Sequence, residues 1–129
     1  MINTNAYDYI SVLGKAADAS WLRNEAISNN IANVDTPGYK RQDVNFEDVL
    51  DQALGHSMYT SMDTKVASVR TASLAPRVYT DYAGFSYRLD GNNVDIDTEN
   101  VVLAKNQLKY TGLINSITQE FQNLRTAMS

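Results

Sequence analysis

The chain has 129 residues, enough for one modest core and hardly for two. A hydrophobic share of 43% beside 20% charged residues is globular rather than disordered composition. Net charge is −4 with the eleven Lys and Arg scattered, so no basic face for nucleic acid is expected. No apolar run approaches the ~20 residues that span a bilayer, and the absence of cysteine removes disulfides, thiolate catalysis and zinc–thiolate sites.

The first basic residue is Lys15 and no apolar segment of signal type follows it, so no cleaved secretory signal is expected. From about Asn5 to Asn33 the pattern predicts one long helix, with only Gly14 against it. Ile10, Leu13, Ala17 and Trp21 fall at helical spacing, and Ile27 and Ile31 continue the stripe. The run Asn29-Asn30-Ile31-Ala32-Asn33-Val34-Asp35-Thr36-Pro37-Gly38-Tyr39 then stops the helix. Pro37 cannot continue it, and Pro37-Gly38 suits the centre of a type II turn with Gly38 at positive φ. A frayed helix end accounts for Asn33 but not for three Asn within five positions, because Asn is a poor interior helix former. Their amides are suited to holding backbone groups, in the same subunit or the next.

The middle segment, residues 34–97, is weaker in pattern. Phe46, Val49, Leu50, Ala53 and Leu54 predict a short helix capped by Asn45, with Glu47, Asp48 and Asp51 on its solvent face. Residues 55–76 lack any period and read as a flexible loop, with His56 as a surface histidine. Val78 to Tyr82, and Phe85, Tyr87 and Leu89, have the alternation of a small hairpin around Ala83-Gly84.

Asp90-Gly91-Asn92-Asn93-Val94-Asp95 reads as a turn into a second long helix over residues 98–129. Asp95, Asp97 and Glu99 supply negative charge to its N-terminus. A calcium loop fails here, because neither register puts Gly at its sixth position and Glu at its twelfth. Tyr110, Ile114, Ile117, Phe121, Leu124 and Met128 follow at spacings of 4, 3, 4, 3 and 4, a heptad stripe. Val101, Ala104 and Leu108 form a shorter stripe upstream. Gly112 interrupts the helix at a cost of ~1 kcal/mol relative to Ala, as a close-approach point or a kink. The fold expected is therefore mainly α, with residues 1–33 and 98–129 as a coiled-coil-like pair around a soft middle. That pair leaves apolar stripe uncovered, which marks an interaction surface.

The run from Ser28 to Tyr39 is similar to the N-terminal signature of bacterial flagellar rod and hook proteins, N-[apolar]-[small]-N-x-x-T-x-G-[Tyr/Phe]. Asn30, Ile31, Ala32, Asn33, Thr36, Gly38 and Tyr39 match it. The D-G-N-N-V-D run at Asp90 to Asp95, with Asn106-Gln107-Leu108-Lys109-Tyr110 beyond, resembles the proximal-rod branch. The resemblance covers about forty residues at each end. It implies a structural subunit, not an enzyme, without cofactor, metal or small-molecule substrate. It also implies export unfolded through the flagellar type III apparatus and assembly in the periplasmic basal body. The implied partners are other copies, other rod proteins and the membrane-ring and export-gate junction at the rod base, with no membrane insertion. Assembly is expected to run through Ile10, Leu13, Ala17 and Trp21 of the first helix and through the Tyr110 to Met128 stripe. A sibling rod or hook protein is the nearest alternative. A small acidic flagellar export chaperone is the alternative from another class, and it would not carry the Asn29 to Tyr39 run.

Overall fold

The computed structural model describes residues 5–55, 60–69, 74–82 and 89–129. Two long helices, α1 (Asn5–Ala32) and α4 (Ile96–Met128), run antiparallel along each other. At 1.5 Å per residue they extend roughly 42 and 50 Å. Between them in sequence lie β1 (Gln42–Asn45), α2 (Glu47–Leu54), α3 (Met62–Ser68) and β2 (Arg77–Thr80). No helix among the described residues is long and apolar enough to cross a membrane.

The middle segment covers one side of α1. Ala19 and Ala26 of α1 are buried with Val44, Phe46 and Leu74, and Val12, Ala16, Leu22, Val49, Leu50, Ala53 and Val69 pack around them. Small side chains on α1 let the short elements approach closely. β1 and β2 pair antiparallel, with Val44 opposite Val78 and Asp43 opposite Tyr79. The strand expected at Val78 to Tyr82 thus forms over Arg77–Thr80, and its partner is β1. Phe85, Tyr87 and the Ala83-Gly84 turn lie outside the described residues, as does His56.

Two local expectations need correction. The segment expected to be loop contains α3, whose N-cap Ser61 accepts a hydrogen bond from the Thr64 backbone N–H at 3.2 Å and which buries Val66. Seven residues are too few to show a helical period, so the cap was its main local signal. Asn45 does not cap α2: it closes β1, and Phe46 occupies the cap position with no side-chain hydrogen bond.

Glu47 is not simply on a solvent face. It accepts from the Arg23 guanidinium at 2.6 and 2.8 Å and pairs with Lys109, so it ties α2 to both long helices. The Arg23 hydrogen bonds hold its carboxyl at about 2 against an ordinary 4.5, with partial burial opposing and Lys109 assisting. The pKa is lowered on folding, so the stabilisation is complete above pH ~4.5 and fades as the pH falls through 2. We expect Glu47→Gln to cost about 1 kcal/mol at pH 7, allowing for solvent screening of this half-exposed group. Urea unfolding of both proteins at pH 7, 4 and 2 should show the gap closing; a gap unchanged at pH 2 would assign the loss to packing.

Candidate functional site

The two signature segments lie against each other. Thr36-Pro37-Gly38-Tyr39 forms the turn, with the Tyr39 N–H donating to the Thr36 carbonyl at 3.2 Å and Gly38 at φ 72. The outward Gly38 N–H donates to the Asp90 carbonyl at 2.7 Å, and the Asn93 N–H donates to the Tyr39 carbonyl at 3.3 Å. Lys40 donates to the Gly91 carbonyl. Gly91 itself sits at φ 77, close to the Gly38 Cα. Pro37 is exposed, so its part is to preset the turn.

Asn92 locks the junction. It is fully buried, and its Nδ2 donates to the carbonyls of Asn33, Val34 and Thr36 at 2.8, 3.1 and 2.9 Å. Its Oδ1 accepts the Val94 N–H at 2.7 Å. One side chain thereby supplies donors to three carbonyls of the segment that leaves α1, which ends at Ala32. Asn93 accepts the Arg41 N–H at 2.8 Å and donates to the Asp81 carbonyl at 2.7 Å, bringing in the residue after β2. Asp90 turns the chain by accepting the Asn92 N–H at 3.0 Å, buried Val94 anchors it, and Asp95 caps α4 through the Asp97 N–H at 3.1 Å.

The Asn residues of α1 divide the remaining work. Asn30, fully buried, exchanges two hydrogen bonds of 2.8 Å with the backbone of Gln42, as a strand neighbour would. It also accepts from the Tyr39 hydroxyl at 3.2 Å and donates to Glu99 at 3.2 Å. Burial, then the nearby Glu99 carboxylate, pushes the Tyr39 phenol above its usual range. Asn33 donates to the Asn29 carbonyl at 2.8 Å and accepts from Thr36 Oγ1 at 3.1 Å, which closes the helix end. Asn29 is exposed, Ile31 half-buried and Ala32 exposed.

Glu99 is the largest departure from the reading of α4. It stands in the first turn of the helix as expected, yet it is 1% exposed and accepts from Arg41 Nε at 2.7 Å. Arg41 also reaches Asp81 at 2.8 Å. Nothing local in sequence points to this pair, because 58 residues separate the partners. The site is thus a polar clasp joining α1, the loop before β1, the end of β2 and the N-terminus of α4. Its chemistry is hydrogen bonding and charge pairing, and no cluster of His, Cys, Asp and Glu able to hold a metal is present among the described residues.

Gly38→Val tests the turn. Its Cβ would meet nothing within 4 Å, so the penalty comes from the backbone alone. A β-branched residue at φ 72 should cost about 1–2 kcal/mol and strain the bond to Asp90. Equal urea midpoints for Gly38→Val and the parent would remove the turn from the clasp.

The residues expected to mediate assembly separate into two groups. Tyr110, Ile117 and Leu124 lie seven residues apart and are half-buried or buried, on the side of α4 facing α1. Leu103, Asn106, Leu113 and Glu120 complete that covered seam. Ile114, Phe121 and Met128 form the other column and are exposed by 39, 54 and 65%. On α1, Ala17 is buried, Ile10 and Leu13 are half-buried, and Trp21 is exposed, its ring 6.2 Å from that of Tyr110. Tyr7 joins Phe121, Leu124 and Met128 in a surface cleft at the far end of the pair. Gly112 is exposed within an unbroken α4, with open space where a Cβ would stand.

A profile of the family described as flagella basal body rod protein matches residues 12–40, from mid-α1 through the Pro37-Gly38 turn. Over most of its length the chain is similar to proteins named flagellar basal body rod protein FlgB. That of Bacillus subtilis is 34% identical over 93% of this chain and 92% of its own length. The Borrelia hermsii protein is 33% identical over 92% and 89%, and the Escherichia coli protein 27% over 82% of each. With both signature segments joined in one clasp and relatives aligned nearly end to end, this chain belongs to the FlgB family of flagellar basal body rod proteins.

Proposed function

We propose that this chain is a non-enzymatic subunit of the proximal rod that polymerises through α1 and α4, forming part of the drive shaft and of the export channel it encloses. The observation that carries this reading is the uncovered column of Ile114, Phe121 and Met128 on a helix whose other column is already occupied. A monomer gains nothing from a second apolar column in water, whereas a helical assembly buries it. The clasp fixes how the middle segment sits on the helix pair, so each copy presents one shape to its neighbours. On this reading the chain passes the flagellar type III apparatus unfolded. It then meets the membrane-ring and export-gate junction at one end and other rod proteins at the other.

Fractionation tests the reading. The chain should co-purify with detergent-washed basal bodies, and its deletion should leave cells without rods or filaments. Recovery only from the cytosol, bound to other exported subunits, would replace it with an export-chaperone role.

A further inference from the structure

Outside the clasp, Asn106 Oδ1 is the one buried side-chain nitrogen or oxygen among the described residues without a hydrogen-bond partner. Asn106 is only 4% exposed, and its Nδ2 donates to the Ser20 carbonyl at 2.8 Å. A buried amide oxygen left without a donor is costly, and the seam position it occupies would take Leu readily. Asn106 lines a cleft of about 400 Å³ between α1 and α4, walled by Trp21, Asn24, Gln107, Tyr110 and Thr111 with Ser20. Trp21 stands 58% exposed beside it. None of these lining residues is charged.

The neutrality of the cleft restricts its occupant. A charged side chain seated there would lose water and find no counter-charge. The same chain carries a segment of matching chemistry. From Thr111 to Leu124 it has a single charged residue, Glu120, against six Asn, Gln, Ser and Thr after Thr111, and the next charge is Arg125, beside Phe121 at the helix end. Glu120 lies on the half-covered side toward α1, whereas Phe121 is exposed with Thr118 and Gln122 beside it. We propose that the cleft takes Phe121 of a second copy, with a polar side chain of that copy's α4 donating to Asn106. The proposal rests on the self-assembly reading above. Cleft and Phe121 occupy different heights on one molecule, roughly 15–22 Å apart along α4 at 1.5 Å per residue. The contact is therefore heterologous, and such contacts build open filaments when the rotation does not close. Asn106 then sets register, as a single buried amide does in a coiled-coil seam.

The absence of cysteine makes the test clean. Full-length Asn24→Cys and Gln122→Cys proteins, mixed at assembling concentration and oxidised, should give mainly the mixed disulfide dimer. Predominant Asn24–Asn24 or Gln122–Gln122 dimers would overturn the heterologous contact. Polymers that sediment normally without cross-linking would overturn this cleft while leaving self-assembly standing, and no association at any concentration would sink self-assembly itself. Separately, Asn106→Leu should weaken association at least tenfold with the monomer's melting temperature unchanged or raised. A lower melting temperature with association intact would make Asn106 a packing residue and reject its role.

Discussion

Arg41→Ala should destabilise the protein by about 3–5 kcal/mol, because it leaves Glu99 buried without its cation. Asn30 still donates to the other carboxylate oxygen at 3.2 Å, but one amide does not replace a guanidinium. The loss should propagate, since the Arg41 guanidinium also pairs with Asp81, whose carbonyl Asn93 holds. Arg41→Ala combined with Glu99→Leu should recover a large part of the stability, because the uncompensated charge has gone. Urea unfolding of the two single variants and the double variant measures the coupling. Additive losses would mean that the ion pair carries no coupling and that the clasp stands on its Asn hydrogen bonds alone.

Sequence pattern revealed the long helices because apolar spacing sustained over many turns has few alternative explanations. It also revealed the Pro37-Gly38 turn, where φ 72 at Gly38 follows from local backbone chemistry. What Asn30 and Asn92 hold was not legible. Their partners are backbone groups 12 and more than 50 residues away, and backbone groups leave no trace in side-chain pattern. Glu99 does stand in the first turn of α4 as expected, but its burial and its pairing with Arg41 were not legible for the same reason. The heptad on α4 was found with one column shifted. Counting apolar residues selects Ile114, Phe121 and Met128 to accompany Tyr110, Ile117 and Leu124. The column covered by α1 instead includes Asn106, Leu113 and Glu120, where polar residues break the hydrophobic count. The apolar column that the count preferred is the one left open to solvent.

That division changes which substitution isolates assembly from folding. Ile117 is half-buried toward α1, so Ile117→Asp should damage the monomer before any polymer is built. Phe121 is 54% exposed, so Phe121→Asp should leave the monomer close to parental stability. If Phe121 is buried between copies, the substitution removes ~1.5–3 kcal/mol of apolar burial at each contact. It also places a carboxylate where desolvation costs several kcal/mol unless a cation is found. Every copy carries the same lesion, so the loss recurs along the polymer. Cells relying on Phe121→Asp should produce and export the chain, yet lack rods and filaments and fail to swim. Gln119→Asp is the control: Gln119 is exposed about 200° around α4 from Phe121, hydrogen-bonded only to Asn123 at 3.0 Å among the contacts described. It should assemble and swim far better. Normal basal bodies with Phe121→Asp, or equal failure of both variants despite folded monomers, would remove the open column from the assembly surface.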